Sequence, residues 1–280
     1  MTSTSISTHP PATAQNGAPE FAAESVSLGY GGRDIVKDLS FEIPAGRVTA
    51  IIGPNGCGKS TLLRGFSRML RPRTGRIRLG ERDVARFGSR EFARTVGLLP
   101  QHPVAPDGIT VADLVSRGRY PYRGMFSRSS RDDDAAVAWA LEATHTVELT
   151  QTPVAELSGG QRQRVWVAMA LAQETEVLLL DEPTTYLDLA HQVDLLDLLV
   201  RLNRSRGTTM VLVLHELNLA ARCADHLVAM KDGRIACSGD PREVLTRENL
   251  SAVFGLDASV LDSELAAGPV VVPSPRRDEA

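Results

Sequence analysis

The stretch Gly53-Pro54-Asn55-Gly56-Cys57-Gly58-Lys59-Ser60-Thr61 has the spacing G-x-x-x-x-G-K-S and directly follows an apolar run, Val48 to Ile52. A buried strand that turns through glycines into a helix N-terminus is a phosphate-binding arrangement. Each residue type has a physical reason to be there. Glycine reaches positive φ and lets backbone N–H groups approach an anion that a side chain would obstruct. The first turn of the helix adds unpaired N–H groups and the positive end of its dipole. Lys59 can reach the β- and γ-phosphates, and the Ser60 hydroxyl can complete a Mg²⁺ shell of water and phosphate oxygens.

Two further clusters narrow the chemistry. Leu178-Leu179-Leu180 runs into Asp181-Glu182. A carboxylate at the end of a buried strand can hold Mg²⁺ through water, and its neighbour can polarise an attacking water. Leu157-Ser158-Gly159-Gly160-Gln161 opens a second helix, where serine is a cap and the glycines expose another nest of N–H groups. One nucleotide has no use for both nests in one fold, so the second should serve a nucleotide held by another subunit. Between Gly56 and Gly58, Cys57 has a helix N-terminus and Lys59 nearby to favour its thiolate. It is therefore expected to be more reactive than Cys223 or Cys237.

Positioning these clusters requires alternating strands and helices. Ser25–Leu28, Ile35–Ile43 and Arg47–Ile52 read as strands separated by turns. Arg76–Leu79 alternates as a half-buried strand with its arginines on a solvated face, and Thr95–Leu99 is a strand ending before Gln101. Residues 110–173 read mainly as helices, with Ser130 as a cap and Asp132, Asp133 and Asp134 as first-turn dipole partners rather than metal ligands. Val177–Leu180 and Thr209–Leu214 are continuous aliphatic runs of the kind found in parallel strands buried on both faces. The helix between them shows Leu189, Val193, Leu196 and Val200 on one face. Leu217–Cys223 follows as a helix, Lys231-Asp232-Gly233 as a hairpin turn and Pro241 as a helix start. The alternation predicts a mostly parallel α/β sheet.

A hydrophobic fraction of 42 % and a charged fraction of 23 % predict an ordinary core in one large domain or two small ones. A formal net charge of −3 gives no electrostatic sign of a nucleic-acid partner. The odd, scattered cysteines suit a reducing cytoplasm, and no apolar run approaches the ~20 residues of a membrane span. Residues 1–20 are expected to be a disordered tail, and 263–280 a polar C-terminal tail.

Over residues 21–262 the chain resembles ATP-binding cassette ATPases. The motifs stand in that family's order: phosphate loop 53–61, Gln101 as the Q-loop, Leu157–Gln161 as the signature, Val177–Glu182 as the acidic strand, residues 184–188 as the D-loop and His215 as the switch histidine. The resemblance implies a cassette with a mostly parallel core sheet, an antiparallel β layer and a helical subdomain at about 102–165. It also implies ATP and Mg²⁺ as cofactors. Tyr30 would stack on adenine, and Ser60, Gln101 and Asp181 would surround Mg²⁺. Glu182 would act as general base and His215 would contact the γ-phosphate. Ser158, Gly159, Gly160 and Gln161, with Asp188, would face the nucleotide of a partner copy. Glu216 stands where the family often has Asp, which keeps the charge.

Gly118-Arg119-Tyr120-Pro121-Tyr122, with Glu182–Asp188 ahead of Ala190-His191-Gln192, is similar to the cassettes of ferric siderophore importers. That likeness implies a homodimer on the cytoplasmic face of the membrane, bound to separate permease subunits and indirectly served by a substrate-binding protein. Haem or vitamin B12 import is the alternative cargo, and a non-transport cassette ATPase the alternative class. Tyr120 and Tyr122 are expected either near the groove that receives a permease helix or packed within the lobe.

Overall fold

In the computed structural model, which describes residues 19–124, 130–262 and 267–275, the aliphatic runs become the centre of a six-stranded sheet. The strands are β1 (Phe21–Tyr30), β2 (Arg33–Ile43), β3 (Val48–Ile52), β4 (Thr74–Leu79), β5 (Arg82–Asp83), β6 (Val96–Leu99), β7 (Val177–Asp181), β8 (Thr209–Val213), β9 (His226–Lys231), β10 (Arg234–Gly239), β11 (Ala258–Leu261) and β12 (Val270–Pro273). The helices are α1 (Lys59–Phe66), α2 (Ser89–Thr95), α3 (Val111–Ser116), α4 (Arg131–Ala143), α5 (Gly159–Ala172), α6 (Leu189–Arg206), α7 (Leu217–Cys223), α8 (Pro241–Val244) and α9 (Arg247–Phe254).

The core sheet has the order β10-β9-β3-β8-β7-β6, parallel throughout except for the β9–β10 hairpin at one edge. Every residue of β3, β7 and β8 is buried, because alternate side chains enter two different cores. Ala50, Leu178, Leu180 and Leu212 face the helices α5 and α6. Ile51, Leu179, Val211 and Val213 face the second core, closed by an antiparallel sheet of order β2-β1-β4-β5. Helix α1 is held in that second core by Leu62, Leu63 and Phe66. The Phe66 ring meets Phe21 edge-on at a centroid distance of 4.8 Å. Each such buried side chain contributes about 1.5–3 kcal/mol.

Between β6 and β7 the chain forms a helical layer in which α3 and α4 pack on α5. Helix α5 runs from Gly159 to Ala172. The face expected for α6 needs correction. Leu189 is 68 % exposed, and the buried stripe is Leu195, Leu196, Leu199 and Asn203. Leu189 is the first helical residue after the cap Asp188, at the end of a surface loop, so periodicity alone misplaces it.

Among the described residues beyond 262, β12 pairs antiparallel with β11, and Asn218 holds both polar groups of Val271. The expected disorder of 1–20 falls mostly outside the described residues, which begin at 19. Among the described residues no helix is long and apolar enough to cross a membrane.

Candidate active site

Strands β3, β8, β7 and β6 lie side by side, so the loops leaving their C-terminal ends stand in a row. The register aligns those ends: Val213 pairs with both Ile51 and Asp181, and Leu99 pairs with Leu180. Gly53, His215, Glu182 and Gln101 therefore emerge beside one another at the edge where open parallel sheets bind ligands.

The phosphate loop is shaped by backbone contacts that exclude side chains. At Gly53, where φ is 151°, a Cβ would lie 2.3 Å from the Met230 carbonyl oxygen. Gly58 caps α1 in the left-handed region, and no side chain caps that helix end, so its first N–H groups face outward for an anion. The β9–β10 turn supports the loop from behind, as the Gly233 N–H donates to the Cys57 carbonyl at 3.0 Å. Lys59 is 5 % exposed, and its ammonium donates to the Gly53 and Pro54 carbonyls at 2.8 and 3.2 Å.

Opposite the loop, Ser60 Oγ donates to Asp181 Oδ1 at 2.9 Å. Burial pushes the Asp181 carboxyl above its ordinary value, against the pull of the Ser60 hydrogen bond, and the Glu182 charge adds to the rise. Glu182 adopts a left-handed φ of 54°. A non-glycine residue there costs about 1–3 kcal/mol unless its surroundings hold it. Its Oε1 accepts from Gln101 Nε2 at 2.6 Å and lies 2.6 Å from His215 Nε2. Burial works to raise this carboxyl, but the His215 and Gln101 hydrogen bonds outweigh it and leave it below the usual range. Two adjacent carboxyls are thus pushed in opposite directions. Ser60, Asp181 and Gln101 offer the oxygen donors that suit Mg²⁺. Among the described residues no cluster of three or more His, Cys, Asp or Glu could hold a metal. The donor set therefore fits a Mg²⁺ that takes the rest of its shell from water and phosphate.

Ser158 caps α5, its Oγ accepting from the Gln161 N–H while Gln161 Oε1 accepts from the Ser158 N–H. A Cβ on Gly159 would lie 3.2 Å from Tyr186, and one on Gly160 3.3 Å from Leu187. Among the described residues no hydrogen bond joins 158–161 to 53–61. Asp188 caps α6 through the His191 N–H, and that bond, with the His191 ring, holds its carboxyl low. Tyr30 ends β1, 46 % exposed, its hydroxyl accepting from Arg64 at 3.0 Å.

Compared with known proteins, residues 36–185 match the family model described as ABC transporter. The chain belongs to the ABC transporter family. Over 250 residues the cassette is 49 % identical to the ferric enterobactin transport ATP-binding protein FepC of Escherichia coli (strain K12), a match covering 89 % of this chain and 92 % of that one. It is 47 % identical over 249 residues to the iron(3+)-hydroxamate import ATP-binding protein FhuC of Bacillus subtilis (strain 168), covering 89 % and 93 %. Among solved structures, the bacterial ABC transporter cassette MJ0796 in its dimeric form superposes with a TM-score of 0.72 at 26 % identity, covering 79 % of this chain and 99 % of that one.

In this ABC cassette two site neighbours escaped the sequence reading. Gln163 is 6 % exposed on α5 and donates to the Pro183 carbonyl at 2.9 Å and to that of Glu182 at 3.5 Å. Gln192 on α6 donates to the Leu187 and Thr184 carbonyls at 3.0 and 3.4 Å. The available signal for Gln163 was a polar residue in line with Val167 and Ala170 on a buried stripe.

The packed alternative holds for Tyr122, which is half-buried beneath Arg119, whereas the reading of Cys57 needs correction. Arg119 is 5 % exposed and bonds Asp133, Glu174 and the Ala172 carbonyl. Its guanidinium lies 4.0 Å from the centroid of the Tyr122 ring, whose hydroxyl donates to the Gln173 carbonyl. Asp133 is thus an ion-pair partner as well as a member of the Ser130 capping box. Cys57 is buried, and burial pushes its thiol up despite Lys59. The Lys59 charge and the backbone N–H groups of Lys59 and Cys57 pull the other way, but desolvation of the buried sulfur outweighs them.

Proposed function

We propose that this chain is the ATP-hydrolysing subunit that powers import of ferric siderophores through separate permease subunits. The observation that carries the hydrolytic reading is the Glu182 carboxylate, fixed by Gln101 and His215 beside the Ser60–Asp181 pair. The loop N–H groups and Lys59 bind the phosphates of ATP, and Tyr30 stacks on its adenine. Ser60, Asp181 and Gln101 hold Mg²⁺, which neutralises phosphate charge when bound. Glu182 orients and deprotonates the attacking water, and His215 senses the γ-phosphate.

Ser158, Gly159, Gly160, Gln161 and Asp188 act on the nucleotide of a second copy, an arrangement supported by the dimeric cassette of the same fold. The cargo is supported by relatives that carry ferric enterobactin and iron(3+)-hydroxamate in their names. The dimer sits on the cytoplasmic face of the membrane beneath the permease, with a substrate-binding protein delivering the chelate outside.

Glu182→Gln tests the mechanism. The variant should bind ATP, lose hydrolysis by about 10²-fold or more, and accumulate as an ATP-bound dimer in size-exclusion chromatography. Unchanged turnover would remove Glu182 from the reaction. A strain lacking this gene and any paralogue should lose ferric-siderophore-dependent growth under iron limitation, and normal uptake would overturn the cargo.

A further inference from the structure

The loop from Glu182 to Asp188 contains two non-glycine residues in the left-handed region, Glu182 at φ 54° and Tyr186 at φ 67°. Two glutamine amides bracket it. Gln192 holds the Thr184 and Leu187 carbonyls from α6, and Gln163 holds the Glu182 and Pro183 carbonyls from α5. Pro183 has no N–H, so the peptide after Glu182 can be anchored only through its carbonyl, and the Gln163 amide donates to that carbonyl and to the next one. On the other side, the Glu182 N–H donates to the Val213 carbonyl at 3.2 Å. The backbone of Glu182 is thus pinned between β8 and the signature helix, and in that conformation its carboxylate reaches Gln101 and His215.

We propose that Gln163 is a positioning residue for hydrolysis, clamping the Glu182–Pro183 peptide so that the Glu182 carboxylate keeps its aim. The inference rests on the hydrolytic reading above. It also gives the signature helix a role in its own subunit. Gln163 lies one helical turn beyond the Ser158 cap, so the helix start expected to face a partner's nucleotide is joined through its side chain to the Glu182 backbone of the same chain.

The test uses the full chain with Mg-ATP. Gln163→Met keeps the length and most of the volume and removes the donor; Gln163→Asn, milder to the fold, keeps an amide on a shorter arm. Both should bind ATP with KM within about twofold of the parent, while kcat falls by about 10²-fold for Met and less for Asn. In the Glu182→Gln background the Met substitution should cause no further loss, because the carboxylate it serves is gone. Parental kcat in both variants overturns the proposal, as does an equal further loss in the Glu182→Gln background, which would show a purely structural part. Full turnover in Glu182→Gln alone would instead sink the hydrolytic reading, so the two failures are distinguishable.

Discussion

Ser60 Oγ donates to Asp181 Oδ1 at 2.9 Å, joining the first turn of α1 to the end of β7 across 121 positions of sequence. The bond places a hydroxyl and a carboxylate on one side of the phosphate loop, where a phosphate-bound Mg²⁺ would need them. Asp181→Asn should raise the Mg²⁺ concentration for half-maximal hydrolysis about 10–100-fold. Chelation should abolish the parent's activity and added Mg²⁺ should restore it. An unaltered Mg²⁺ titration curve in the variant would take Asp181 out of the metal's surroundings.

Thiol reactivity should follow exposure rather than the phosphate loop. Cys57 and Cys223 are buried, and burial pushes the Cys223 thiol up to about 12. Cys237 is half-buried on β10 and less desolvated. Mass spectrometry after brief maleimide treatment of the folded chain should find Cys237 labelled first. Preferential labelling of Cys57 would revive an activated thiolate there.

Tyr120 and Tyr122 should separate cleanly. Tyr120 is 56 % exposed, whereas Tyr122 is stacked under Arg119 and bonded to the Gln173 carbonyl. Tyr122→Ala should lower the melting temperature, reflecting about 3–5 kcal/mol for a large-to-small change at a packed aromatic. Tyr120→Ala should leave the melting temperature and the subunit's own ATPase intact while weakening siderophore-dependent growth. Wild-type growth with Tyr120→Ala would show that this ring meets no permease.

Acid should unfold the helical layer partly through Asp133. The Arg119–Asp133 pair spans 2.9 Å with both side chains 6 % exposed. Burial alone would raise the Asp133 carboxyl, but hydrogen bonds from Arg119 and Ser130 overcome it and hold the group below its ordinary value. A depressed carboxyl contributes stability that is complete above the unfolded value near ~3.9 and is lost as pH falls through the lower folded value. Asp133→Asn should cost about 1.5–3 kcal/mol at neutral pH, because it removes one of the two carboxylates paired with the buried Arg119 guanidinium and leaves Glu174 as the other. It should also flatten the loss of stability below about pH 4. Parallel denaturant midpoints for parent and variant from neutral pH to acid would contradict this account.

Much of the molecule was legible in the chain because its signals are short-range. Aliphatic runs identified β3, β7 and β8, since strands buried on both faces need apolar residues at every position. Two caps announced themselves in the same way: Ser130 and Ser158 each accept from the N–H three residues on. The phosphate loop was readable because glycine spacing is itself a backbone requirement. Tertiary structure decided what these elements face. Gln101 and Glu182 meet across 81 positions only because β6 lies next to β7, and His215 joins them because β8 lies on the other side. Nothing local distinguishes Tyr120 from Tyr122, Leu189 from Leu196 or the desolvated Cys57 from an activated one. Burial and hydrogen-bond partnership are properties of packed neighbours distant in sequence, and strand order, not residue spacing, chooses those neighbours.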